Sequence, residues 1–174
     1  MLIFREQFID STVASVQSGL PCGKITRFIV DPASLAISLL VIEDLHETTY
    51  LLPSDIRYAT AERIIIDAEE KLSESDDLLR HQELITQNFD PIGCTVVTES
   101  RKKLGKVTNY AIDDTSWQIA KLYVMAGILG NPLQQEQIIE VSDVVNVENK
   151  KITVRDLRNR VHKPLTIPLP KNVA

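Results

Sequence analysis

Cysteine, glycine and long apolar runs are all scarce in this chain, and each scarcity excludes something. Two cysteines, Cys22 and Cys94, stand 72 residues apart with no CxxC pair, which removes the spaced frameworks of disulfide scaffolds and structural zinc sites. Two free thiols in a reducing compartment is the favoured reading, with a single disulfide as the alternative. No apolar run approaches the ~18 residues that a membrane-spanning helix requires. The opening "MLIFREQFID" carries Arg5, Glu6 and Asp10, unlike a secretory signal. The chain is therefore expected to be soluble and cytoplasmic, without an integral membrane segment.

Six glycines in 174 residues leave little material for a phosphate-binding loop. The two Gly-Lys pairs, Gly23-Lys24 and Gly105-Lys106, lack the upstream glycine that such a loop needs. Their lysines are followed by Ile25 and Val107 rather than by a hydroxyl residue. Three histidines, His46, His81 and His162, have no second ligand at metal spacing, and no Gly-x-Ser-x-Gly occurs. Aromatic residues are 5% of the chain and do not interleave with basic ones, so no single-strand nucleic-acid platform is expected. No catalytic residue, cofactor site or metal site is assigned, and the chain is expected not to be an enzyme.

What is present is repetition. "GKITRFIVD", Gly23 to Asp31, returns 82 residues later as "GKVTNYAID", Gly105 to Asp113, and Ile37/Ile119 and Leu40/Leu122 keep that offset. Further on, Ser54-Asp55-Ile56 matches Ser142-Asp143-Val144, and Ile64 to Ile66 matches Ile152 to Val154, both at 88. Six extra residues in the second copy fall within "AGILGNPLQQEQ", Ala126 to Gln137. Matches in one order over some 50 residues point to a duplication.

Each copy reads as short strands: 11–17, 23–30, 35–42, 48–52 and 64–67, then 95–98, 104–112, 117–125, 138–141, 144–147 and 152–155. "DPAS", Asp31 to Ser34, is a turn, and Asp31 and Asp113 recur as turn-initiating aspartates. Along 23–30 the apolar side changes over midway, which implies a bulge or strong coil. Between the copies the acidic stretch from Ala68 to Asp90 reads as a helical linker over about 76–87, with Ser73 or Ser75 as cap. The expected architecture is mainly β: two tandem small antiparallel β-barrels joined by an α-helical linker. Its parts are a first barrel at 1–70, a linker at 71–90, a second barrel at 91–157 and a basic, proline-containing tail at 158–174.

The pattern Gly-Lys-[Ile/Val]-x-x-x-x-[Ile/Val]-Asp, a following strand ending near Ile42 and Val124, and "YLLPSDI", Tyr50 to Ile56, resemble the PRC-barrel family. The second copy has "IIEVSDV", Ile138 to Val144, in place of the last element. The resemblance covers about 11–67 and 94–156. It implies a small β-barrel used for binding or assembly, as in the cytoplasmic barrel of photosynthetic reaction-centre H subunits, with no shared catalytic residues.

Candidate contact surfaces follow from the differences between the copies. Leu35, Ile37, Leu39 and Val41 form an apolar outer strand face that must be covered by the other barrel, the linker or a second copy of the chain. The matching face holds Trp117, Ile119, Lys121 and Tyr123, where Trp117 is either an exposed anchor or a plug for the barrel end. The inserted loop offers Ile128, Leu129 and Leu133. The net charge of −5 hides an acidic body and a basic end, where 150–174 carry seven cations and Asp156 as the one acid. Arg158, Arg160 and Lys163 belong to a tail that either folds back on its own acidic surface or serves as an arm for an anionic partner. The expected function is a protein-interaction or assembly module with an unnamed protein partner or a second copy. Nucleic acid is unlikely as a partner except through ribosome association, the alternative suggested by similarity to the C-terminal barrel of the ribosome maturation factor RimM.

Overall fold

The computed structural model describes residues 1–45, 47–60, 62–126, 136–148 and 150–156. Among the described residues fourteen strands make two seven-stranded sheets, and the protein is mainly β as expected. Neither sheet closes into a barrel, which corrects the expectation of two closed barrels. In the first sheet the order is β6 (Ile56–Ala59), β7 (Arg63–Ile66), β2 (Thr12–Ser15), β3 (Pro21–Asp31), β4 (Ala36–Glu43), β5 (Thr48–Leu51) and β8 (Leu72–Ser73). The second runs β12 (Glu136–Glu140), β11 (Ile119–Met125), β10 (Lys103–Asp113), β9 (Thr95–Thr98), β14 (Lys151–Val154) and β13 (Val144–Glu148), with β1 (Leu2–Phe4) also paired to β10. The sheets are not purely antiparallel: β2 runs parallel to β7, and β9 parallel to β14.

The two long strands are bent by the same device. Ile25 pairs with Ile42 and Arg27 with Val41, so Thr26 is the extra residue; Val107, Thr108 and Asn109 repeat this against Val124 and Tyr123. A bulge consumes one residue and so returns the apolar side chains to one face. Ile25 and Phe28 therefore both point into the core despite their odd spacing, as do Val107 and Tyr110. The bulged threonines hydrogen-bond the partner strand: Thr108 Oγ1 donates to Tyr123 O at 3.2 Å and Thr26 Oγ1 to Val41 O at 3.5 Å. Gly23 and Gly105 sit where β3 and β10 pass closest to the next strand. A Cβ at Gly105 would collide with Met125 O, and one at Gly23 would lie 2.7 Å from Ile42 Cγ2, so glycine is needed at both for close approach.

A single hydrophobic core joins the two sheets. At its centre the hairpin turns after β3 and β10 meet. Ile37 N–H donates to Trp117 O at 2.9 Å and Ile119 N–H to Leu35 O at 3.1 Å, around an antiparallel bridge between Ala36 and Gln118. Leu35 and Trp117 reach this junction with left-handed φ of 54° and 55°, so both belong to the turns rather than to the strands expected to begin there. Leading segments also cross over: β1 pairs with β10 of the second sheet, while Val30 N–H of the first donates to Phe89 O at 3.1 Å. Arg5, in the one-turn helix α1 (Arg5–Phe8), meets Asp90 at 3.2 Å.

The connection between the sheets, expected to hold a linker helix or two over about 76–87, is helical there only in short pieces, and α-helical only over Gln82–Gln87. It runs through a 3-10 turn at Glu69–Lys71, β8, 3-10 turns at Ser75–Asp77 and Leu79–His81, and a six-residue helix, α2 (Gln82–Gln87). No serine side chain caps either of the last two 3-10 turns. Helix α2 stops at Asn88, whose left-handed backbone lets its N–H bond Leu84 O at 2.8 Å.

Candidate functional site

The strongest candidate is a groove of about 710 Å³ on the first sheet. Its floor is a register row across four strands: Arg63 of β7 lies beside Thr12 of β2, Thr12 beside Lys24 of β3, and Lys24 beside Glu43 of β4. Val13 points into the core, so its neighbours Thr12 and Ala14 must point outward, and their short side chains keep the floor low. The turn through Gly19 and Pro21 forms one wall and Asp44-Leu45 the other. Gly19 closes the first with φ 69° and an N–H bond to Ser15 O at 3.0 Å. At the second, Asp44 Oδ1 accepts the Leu45 N–H at 2.7 Å, and Leu45 is 90% exposed.

Among the described residues Lys24 and Arg63 make no ion pair, while Arg27 stands 3.9 Å from Glu43. The groove thus presents two cations, two acids and one large apolar side chain. Loop length keeps it open: four residues separate the paired Glu43 and Thr48, whereas ten separate Met125 and Glu136 at the matching place in the second sheet.

The apolar face expected as a contact surface is closed from within the chain. Leu39 and Val41 are fully buried beneath Leu78, Leu84 and Ile85, together with Ile29 and Tyr50. Leu35 and Ile37 lie in the core between the sheets. Trp117 is buried too, its ring 5.4 Å from that of Phe8. These five residues are packing residues, because the linker and the second sheet dry the face that would otherwise be exposed. Tyr123 is half-buried and packs against Phe4 in a tilted arrangement with ring centres 5.1 Å apart. Ile128, Leu129, Leu133, Arg158, Arg160 and Lys163 lie outside the described residues, as do His46 and His162. The groove residues Thr12, Ala14, Lys24, Arg63 and Leu45 were not singled out by sequence reasoning. The one signal pointing to them was the shorter loop of the first copy.

Both thiols are poor nucleophiles. Burial, with Glu69 nearby, pushes the Cys22 thiol up from its ordinary value, and burial with Asp90 does the same for Cys94. Burial, then Asp90, also raises the Tyr110 hydroxyl, which finds no hydrogen-bond partner among the described residues. No group of three or more His, Cys, Asp or Glu is placed to hold a metal ion among the described residues, and no described helix is long and apolar enough to cross a membrane.

Residues 88–160 match the family model of the PRC-barrel domain, so the second half of the chain, from the Asn88 that ends α2 onward, contains a PRC-barrel domain. A search of curated proteins finds no match.

Proposed function

We propose that the chain is a non-enzymatic protein-interaction or assembly module built from two PRC-barrel units, of which the first is a divergent copy of the second. The duplicated pairing plan supports this: β2 to β7 and β9 to β14 share strand order, bulge positions and one parallel strand pair. The observation that carries the binding role is the groove on the first sheet. A low floor with Lys24 and Arg63 on one side, Glu43 and Asp44 on the other and Leu45 at its lip suits an extended polypeptide segment carrying both signs of charge and one apolar anchor. A nucleic-acid backbone fits it poorly, since the two acids offset the two cations. The two free thiols accord with action in the cytoplasm.

The test is recovery of partners from native cells by wild-type protein, by Ala14→Arg, which fills the floor, and by Leu45→Asp. The reading expects a reproducible set of proteins that both substitutions lose. Capture unaffected by either substitution contradicts it. Recovery of ribosomal particles that is abolished by nuclease and indifferent to the groove substitutions would instead establish the ribosomal alternative.

A further inference from the structure

Within the groove the charges stand in an ordered row. Arg63, Thr12, Lys24 and Glu43 are successive neighbours across β7, β2, β3 and β4. Each adjoins a fully buried residue of its own strand, Ile64, Val13, Ile25 or Ile42, so all four share the outer face. Thr12 thus has a cation one strand away on either side, and neither cation is ion-paired among the described residues. The second sheet repeats the first three places with Lys151, Thr95 and Lys106, but Met125 stands in the place of Glu43. The cation–threonine–cation row belongs to both halves, and only in the first does an acid continue it.

Two cations flanking a hydroxyl make a seat for an anion. Glu43 and Asp44 nearby repel a phosphate dianion more strongly than a carboxylate, so the seat favours a single negative charge. The same two acids suit a Lys or Arg beside the seat. Among the described residues Asp44 makes no ion pair, and Glu43 meets only Arg27, at 3.9 Å. Two strand spacings, about 10 Å, separate the places of Thr12 and Glu43. A polyproline II segment advances about 9 Å in three residues and returns to the same face, whereas the third residue along a β-strand faces away. Building on the peptide-binding role proposed for the groove, we infer that its ligand is a polyproline-II-like segment with an Asp or Glu three positions from a Lys or Arg. The acid sits over Thr12 between Lys24 and Arg63, and the base meets Glu43 and Asp44, next to Leu45. With Met125 in the fourth place, the second sheet does not offer this pairing.

Affinity selection of short random peptides on the full chain tests it, followed by binding measurements of the enriched peptides on variants. The peptides should carry Asp or Glu three positions from Lys or Arg. They should lose about tenfold or more in affinity for Lys24→Glu and for Arg63→Glu, and none for Lys106→Glu in the matching row of the second sheet. Replacing the peptide's acid by lysine should restore binding to Lys24→Glu. Peptides that Ala14→Arg rejects but that ignore both charge reversals would overturn the inference and leave the groove a peptide site. Should every enriched peptide bind Ala14→Arg as well as wild type, the groove reading fails and the inference with it.

Discussion

At matched places on the two outer sheet faces stand Leu39 and Lys121, Val41 and Tyr123, Tyr50 and Ile138. The strand plan beneath them is the same, with the same bulges and one parallel pair in each, yet what lies above differs. On the first face Leu78, Leu84 and Ile85 complete a small second core. On the second, Phe4 packs against Tyr123, Lys121 meets Glu140, and Ile138 remains half exposed. Inward-facing residues are held to one pattern by a shared core, whereas each outer face is free to suit its cover. The difference teaches that the segment packed on the first sheet, more than the sheet itself, decides which of its surfaces stays available.

The largest effect expected is at the glycines that both halves require. Gly105→Ala brings a Cβ against the Met125 carbonyl with φ at +154°, and should cost about 3 kcal/mol or more in chemical denaturation. Gly23→Ala should cost less, since the nearest backbone atom to its Cβ, Glu43 O, stands off at 2.9 Å and the closest contact is the Ile42 methyl. Equal losses would show that the two strands approach their neighbours alike.

Next comes the cover of the first face. Leu78→Ala removes a side chain 8% exposed from the small outer core and should cost about 2 kcal/mol. Phe4→Ala, at the looser cover of the second face, should cost less, because Phe4 is 38% exposed. Thermal or denaturant unfolding of the pair decides whether the faces are as unequal as their packing implies.

A smaller, pH-dependent effect belongs to the turn after β10. The Ser116 backbone N–H and hydroxyl, and then the Thr115 N–H, donate to the Asp113 carboxylate and hold it below its ordinary value. A depressed carboxyl contributes stability above its unfolded value, about 4, and loses it as pH falls through the folded value. Asp113→Asn should therefore be less stable than wild type at pH 7, with the gap closing below about pH 4. A gap independent of pH would assign the effect to turn geometry instead of charge.

Smallest is the thiol comparison. Cys22 is half-buried and Cys94 buried, and both are held protonated by burial. A thiol reagent should modify Cys22 first and reach Cys94 only as the protein unfolds.

Much of this was legible in the sequence. The recurrence of Gly23 to Asp31 at Gly105 marked the two long strands, and the changeover of apolar side along 23–30 implied a bulge or strong coil, which the structure resolves as a bulge at Thr26. Closure was not legible, because whether a bent sheet meets its own edge depends on long-range pairing that short strand patterns leave open. The linker was misjudged for a related reason. Its leucines have a spacing compatible with a helix, yet Leu72 joins a ladder and Leu78 sits between two 3-10 turns, where contact with Leu39 and Val41 outweighs local propensity. Leu35 and Trp117 looked like strand starts because they are large and apolar; their left-handed backbone becomes intelligible only once the two turns are seen to meet. The groove was hidden altogether, since it is built from small and charged residues adjacent across strands rather than along the chain.

The central claim, that matched faces differ in their cover, is tested most directly by exchanging one matched pair. Leu39→Lys and Lys121→Leu, each measured for its free energy of unfolding, should separate widely. Leu39→Lys places an ammonium under Leu78 and should lose about 4 kcal/mol, while Lys121→Leu should stay within about 1 kcal/mol of wild type. Losses of equal size at the two positions would contradict the account.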